Sequence, residues 1–223
     1  MNNYRLVIFD MDGTILDTLE DLCNAVNHTL EYFGYAKRTQ QEIRNFLGNG
    51  SRYLIEKSLP DNKAVSPTQL ELILDYYSSY YKKNCAVHTM PYSGILELLL
   101  KLKQAKKLLA VVSNKPDFGV QELCHCHFPE LFDFYCGERP GIRRKPAPDS
   151  VQEVMQKLRI APSDTVYIGD SEVDISTAKN AGIHSIIVTW GFRDKEQLLN
   201  AGAENLADSP SELKELLLPD KAK

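Results

Sequence analysis

"RLVIFDMDGTILDT", Arg5 to Thr18, begins as a strand and then breaks the rules for one. Leu6 to Phe9 is apolar at every position instead of alternating, which suits a strand buried on both faces of a parallel sheet. Asp10 and Asp12 follow at once, one residue apart, and then Gly13 and Thr14. Carboxylates this close repel each other, and neither Asp nor Gly favours a strand. A local rule broken so openly marks residues held for chemistry.

Further β-rich runs follow: "LLAVV" (Leu108 to Val112), "FDFYC" (Phe132 to Cys136), "TVYIG" (Thr165 to Gly169) and "SIIVT" (Ser185 to Thr189). The segments between the later runs have helical spacing, and Gly182 stands where a C-cap is expected in "EVDISTAKNAG". This alternation predicts an α/β fold, a Rossmann-like parallel sheet flanked by helices, with ligands beyond the carboxyl ends of the strands. One stretch departs from it. From Leu16 to about Cys85 only helices are expected: Leu19, Leu22, Val26, Leu30 and Phe33 recur at helical spacing. Thr39 and Glu42 make a capping box whose helix Gly48 should close. Ser66 and Pro67 start another helix, carrying Leu70, Ile73, Leu74 and Tyr77. The expected organisation is an α/β domain of residues 1–15 and 86–223, with an inserted helical domain of residues 16–85 that returns through "AVHTMPYSG". The terminal "LPDKAK" is expected to fray.

Composition removes several classes. With 43% hydrophobic and 25% charged residues in 223, the chain reads as an ordinary globular protein. A formal charge of −4 gives no reason to expect nucleic acid or an anionic membrane surface as partner. No apolar run approaches the length of a membrane span, and "MNNYRLVIFD" lacks the features of a signal peptide. Five cysteines, an odd set, point to reduced thiols and a cytoplasmic setting. "CHCH", Cys124 to His127, invites a zinc reading, but four consecutive residues cannot all turn toward one tetrahedral ion. A helix end is expected there.

Three more clusters stand after predicted strands. Ser113-Asn114-Lys115 follows "LLAVV", and with Pro116 behind it either Ser113 or Asn114 is expected to cap a helix whose free N–H groups would suit an anion. Lys145 lies in "RRKPAPD", where it is either solvated charge or a site residue. "IGDSEVD" carries Asp170 at a strand end and Asp174 one helical turn later, as a cap and a first-turn acid or as ligands. In combination the clusters would converge at one sheet edge. Asp10, Asp12 and Asp170 would supply hard oxygens suited to Mg²⁺, and Lys145 and Ser113 donors for a phosphate. Such a set is chemically complete for phosphoryl transfer.

The four motifs "DMDGT", "SNK", "KPAPD" and "GDSEVD", in this order at strand ends, resemble those of the haloacid dehalogenase superfamily. The helical insertion lies where that family's first type of cap lies. The resemblance implies that Asp10 is a nucleophile forming an aspartyl-phosphate and that Asp12 is the general acid and base. It implies Mg²⁺ held by Asp10, Asp12 (through its backbone carbonyl) and Asp170, with Asp174 one layer out, orienting a metal-bound water or Lys145. Lys145 would balance the charge of nucleophile and phosphate, Ser113 and Asn114 would hold the transferring group, and Thr14 would fix its loop by hydrogen bonding and contact the substrate. "FLGNGSRYL", Phe46 to Leu54, is either a helix–helix turn or a loop dipping into the site, with Asn49 or Arg52 on the substrate's distal end. "GNG" and "PYSG" are similar to the phosphoglycolate phosphatase branch, although Ser93 stands where that branch often has a second proline. The expected function is a Mg²⁺-dependent phosphatase acting on a small phosphorylated metabolite, phosphoglycolate first. A sugar-phosphate mutase, an inorganic pyrophosphatase and a non-catalytic phosphate binder are the alternatives. Intact Asp10, Asp12, Lys145 and Asp170 weigh against the last. Monomer and homodimer both stay open.

Overall fold

β1 (Leu6–Phe9) lies inside a six-stranded parallel sheet, because its side chains are apolar on both faces. Val7 and Phe9 enter one hydrophobic cluster and Leu6 and Ile8 the other, so the two-residue period of the strand splits it between the two faces. The computed structural model describes residues 4–60 and 65–218. Residues 219–223, most of the tail expected to fray, lie outside the described residues.

After β1 the chain makes β2 (Leu16–Asp17) and then four helices, α1 (Leu19–Tyr32), α2 (Gln40–Phe46), α3 (Gly50–Ser58) and α4 (Pro67–Asn84). It returns through β3 (Met90–Pro91), which pairs antiparallel with β2. The two-residue β2 was not expected, since so short a pair shows no periodicity. α5 (Ile95–Gln104), β4 (Leu108–Pro116), α6 (Asp117–His127), β5 (Phe134–Glu138) and α7 (Asp149–Leu158) follow. β6 (Thr165–Gly169), α8 (Glu172–Ala181), β7 (His184–Val188), α9 (Lys195–Asn200), β8 (Leu206–Ala207) and α10 (Pro210–Leu217) complete the chain. The strand order β5-β4-β1-β6-β7-β8 makes this the expected α/β fold.

The helix signals locate most ends correctly. Thr39 and Glu42 form the capping box, Ser66 accepts from Gln69 N ahead of Pro67, and Gly182 caps α8 in the left-handed region. α2 nevertheless ends at Phe46, with Leu47 extended behind it and Gly48 beyond at φ +105. A larger correction concerns Ser113 and Asn114. β4 runs through both to Pro116, so neither caps a helix, and α6 starts only at Asp117. Pairing of Pro116 with Glu138 of β5 holds this segment extended. α6 does end at the "CHCH" run, with Cys124 buried and Cys126 exposed, on different sides of the helix.

Where the chain leaves for the four helices and returns from them, Asp21 of α1 ties the two passages together. Its carboxylate accepts from the backbone N–H groups of Val87, His88 and Thr89 and from the Thr89 hydroxyl, at 2.8–3.0 Å. Leu22, Val26, Leu30, Ile73, Tyr77 and Tyr81 of the helices join Phe9 and Val111 of the sheet in one buried cluster. The helices therefore close over the carboxyl end of β1.

Candidate active site

Register brings the motifs together. Phe9 lies level with Val111 on one side and Ile168 on the other, so the next residues of all three strands, among them Asp10 and Gly169, reach the same rim. Gly169 leads directly into Asp170, and Lys145 enters from the loop between β5 and α7.

Lys145 is the hub. Its ammonium meets Asp10 Oδ2 at 3.0 Å, Asp174 Oδ1 at 2.8 Å and the Tyr167 hydroxyl at 2.9 Å. Burial opposes its charge, but the Asp10 and Asp174 carboxylates override that and hold its pKa well above the ordinary lysine value. Asp10 also accepts from Met11 N at 2.7 Å, which orients the carboxylate beyond the strand end. Burial pushes its carboxyl up to about 6; Lys145 opposes the rise, and Asp174 and Asp12 add to it. Asp170 accepts from the Thr14 hydroxyl at 3.1 Å and from Phe192 N at 2.7 Å. Burial, then the negative charges of Asp174 and Asp10, push it up to about 8.

Asp174 is spent on structure. One oxygen takes the Lys145 ammonium, and the other accepts from Ser171 Oγ at 2.6 Å and from the N–H groups of Ser171 and Asp170. That is the capping box of α8, with Ser171 as the cap in place of Asp170. Glycines make room: a Cβ at Gly169 would stand 2.3 Å from Asp174, and one at Gly13, whose φ is +80, 2.4 Å from Asp170.

Asp10, Asp170 and Asp174 offer carboxylate oxygens within 4.8 Å of one another, the one metal-capable cluster among the described residues. Three buried carboxylates crowd together, Lys145 meets Asp10 and Asp174, and burial first, then the neighbouring negative charges, raises the pKa values of Asp10 and Asp170. Hard oxygen donors with a deficit of cation fit a divalent ion of the Mg²⁺ type. Since Asp174 already holds Lys145 and the start of α8, Asp10 and Asp170 are the carboxylates left to face such an ion.

The remaining expected residues divide. Ser113 lines the cavity, its Oγ accepting from Lys115 N at 3.3 Å. Asn114 lines it too, but its side chain is fully used: Oδ1 accepts from Lys145 N, and Nδ2 donates to the carbonyls of Lys145 and Gly48. It is a strut between the lysine loop and the segment before α3, which corrects its expected hold on the transferring group. Thr14 does fix its loop by a hydrogen bond, donating to Asp170, but it is absent from the cavity lining, which corrects its expected contact with the substrate. Asp12 does not join the carboxylate cluster through its side chain; its Oδ1 meets the Lys115 ammonium at 2.7 Å.

Neither Asn49 nor Arg52 reaches the cavity. Arg52 is 45% exposed and pairs with Glu71 at 2.7 Å and Glu56 at 3.9 Å, because the turn of α3 it occupies faces solvent. The loop does dip inward, but through Gly48, Gly50 and Ser51. Tyr167, Lys115, Tyr77, Tyr81 and Arg193 are site residues without an assigned role in the sequence reading. Tyr167 reads as a strand residue and Tyr77 as a core one, so periodicity gave no signal of chemistry.

The comparisons with known proteins agree with this geometry. Residues 7–188 match the haloacid dehalogenase-like hydrolase family. A phosphoglycolate phosphatase of Vibrio parahaemolyticus is 30% identical over 218 residues, 96% of each chain. A structure from Lactobacillus delbrueckii subsp. bulgaricus, described as a candidate phosphoglycolate phosphatase, has a TM-score of 0.90 and 40% identity over 98% of this chain and 100% of its own. CbbY from Rhodobacter sphaeroides, solved in complex with phosphate, has a TM-score of 0.81 and 27% identity over 94% of this chain and 96% of its own. With its motifs gathered at one sheet edge, this chain belongs to the haloacid dehalogenase-like hydrolase family and is an enzyme of its phosphatase class.

Proposed function

We propose that the chain is a Mg²⁺-dependent phosphatase of small phosphomonoesters, with phosphoglycolate as the leading substrate, acting through an aspartyl-phosphate. The observation that carries this reading is the Asp10 carboxylate at the strand end, 3.0 Å from the Lys145 ammonium and lining a cavity beneath the helices. Bound Mg²⁺ would neutralise charge between Asp10, Asp170 and the phosphoryl group. In the first step an Asp10 oxygen attacks phosphorus, the ester P–O bond breaks, and the leaving alkoxide takes a proton from Asp12. In the second a water attacks the phosphorus, Asp12 takes its proton, and the Asp10–phosphorus bond breaks to free phosphate. Lys145 balances the nucleophile's charge in both steps, and Ser113 donates to the transferring group. Residues 16–85 act as a cap that excludes water. The five cysteines, all unpaired, suit a reducing cytoplasm.

Relatives named phosphoglycolate phosphatase favour phosphoglycolate as the substrate. Phosphate release from a panel of phosphoglycolate, a hexose phosphate and pyrophosphate, with Mg²⁺ and then with chelator, tests the reading. Phosphoglycolate should be turned over fastest and chelator should stop it. Turnover unaffected by chelator, or no phosphate released from any ester, would overturn it.

A further inference from the structure

Lys115 takes no part in the steps above, yet its side chain is 1% exposed and lines the same cavity as Asp10. Among the described residues its ammonium has one hydrogen-bond acceptor, Asp12 Oδ1 at 2.7 Å. Lys145, equally buried, uses its three donors on Asp10, Asp174 and Tyr167. An ammonium carries three N–H donors, so Lys115 keeps two for something the described chain does not supply. Its charge also stands 4.9 Å from the centroid of the Tyr81 ring.

Beside it, Tyr77 and Tyr81 are stacked with ring centroids 5.6 Å apart, both buried, both lining the cavity, and both with hydroxyls that meet no partner. Ser51 comes near the Tyr77 hydroxyl without completing a hydrogen bond. Leaving a buried hydroxyl unpaired is destabilising, because its bonds to water are lost and not replaced. A wall built for packing alone would carry Phe at both positions. Spare donors of one ammonium and two phenols, next to apolar Leu22 and Leu54, match an anion with several acceptor oxygens on a very short carbon chain.

We propose that Lys115, Tyr77 and Tyr81 form the subsite for a carboxylate on the leaving group, so that the enzyme selects phosphate esters of short hydroxy acids. This rests on the phosphatase reading, because Asp12 is the group that faces the ester oxygen. Lys115 is one hydrogen bond from Asp12, so the carboxylate it binds sits within one or two carbons of that oxygen. A neutral ester leaves the donors unmatched, which is the source of selectivity in sites of this kind.

The test compares phosphoglycolate with ethyl phosphate, in which a methyl replaces the carboxylate, on the full chain with Mg²⁺. The native enzyme should prefer phosphoglycolate by on the order of 100-fold or more in kcat/KM. Lys115→Met should lower that preference about 100-fold, and Lys115→Arg should restore part of it. Tyr77→Phe and Tyr81→Phe, which each remove a single oxygen, should lower it about 10-fold through KM. They also carry the test if Lys115→Met does not fold. If Lys115 serves only to balance Asp12, its loss slows both esters alike, and a preference unchanged in these variants overturns the proposal. Native Mg²⁺-dependent turnover with no preference for the carboxylate overturns this subsite alone. Absence of turnover on every ester overturns the phosphatase reading together with it.

Discussion

Asp10, Asp170 and Asp174 crowd three buried carboxylates together, with one ammonium on Asp10 and Asp174, and the consequences can be measured at single positions. Asp10 and Asp170 ionise from the ordinary carboxyl value of 3.8 in an unfolded chain, but at about 6 and about 8 in the folded one. Between those values the folded state holds more protons than the unfolded state. Its stability without a cation should therefore fall as pH rises from about 4 to about 8. A cation bound between the carboxylates cancels that loss. We expect the melting temperature in chelator to drop from pH 5 to pH 8, and Mg²⁺ to raise it by more at pH 8 than at pH 5. An equal effect of Mg²⁺ at both values would count against a shared ion. Asp10→Asn should reduce kcat by at least about 10⁴-fold. The melting temperature in chelator should not fall with it, since one of three crowded charges is gone. Near-normal turnover would remove Asp10 from the nucleophile role.

Between elements, the junction at Asp21 is the most exposed to single changes. One carboxylate on α1 satisfies three successive backbone N–H groups and a hydroxyl of the segment before β3. Asp21→Ala leaves those donors without an acceptor in a partly buried site, at a cost of at least about 2 kcal/mol in urea unfolding. A loss below half of that would mean water replaces the carboxylate. Among the helix ends, local chemistry was enough where a cap needs only its own residues. Thr39 with Glu42 and Ser66 with Pro67 were legible for that reason. It was insufficient at Ser113 and Asn114, whose cap-forming tendency loses to pairing of β4 with β5. It was also insufficient for β2 and β3, which exist because two distant passages of chain meet.

Across the molecule, the four helices are held against the sheet by polar contacts around the cavity mouth. Arg193, between β7 and α9, donates to the carbonyls of Leu47 at 2.7 Å and Arg44 at 3.3 Å while paired with Glu172 at 2.9 Å. Arg44 reaches back to the Gly191 carbonyl at 3.1 Å, and Asn114 holds the Gly48 carbonyl at 3.0 Å. These contacts hold backbone groups of the segment that leads into the site. Arg193→Ala should therefore speed amide hydrogen exchange over residues 44–52, with little change in the strands β1 and β6. Unchanged exchange in that segment would show that apolar packing alone keeps the helices closed.

The succession of strands and motifs along the chain, the gathering of Asp10, Lys145 and Asp170, and the helices between Leu19 and Asn84 followed from residues read in sequence. Each rests on near neighbours: an apolar run, a cap, a pair of acids at a strand end. Other properties depend on residues far apart in the chain coming within hydrogen-bonding distance. Lys115 meets Asp12 across 103 positions and Lys145 meets Tyr167 across 22, and no spacing rule reaches that far. Arg52 had the right chemistry for a substrate, but helix rotation turns it toward Glu71, and Tyr77, a core residue by pattern, takes a place in the cavity wall. Local propensity sets which side chains an element carries. Packing of one element on another sets which of them share a cavity.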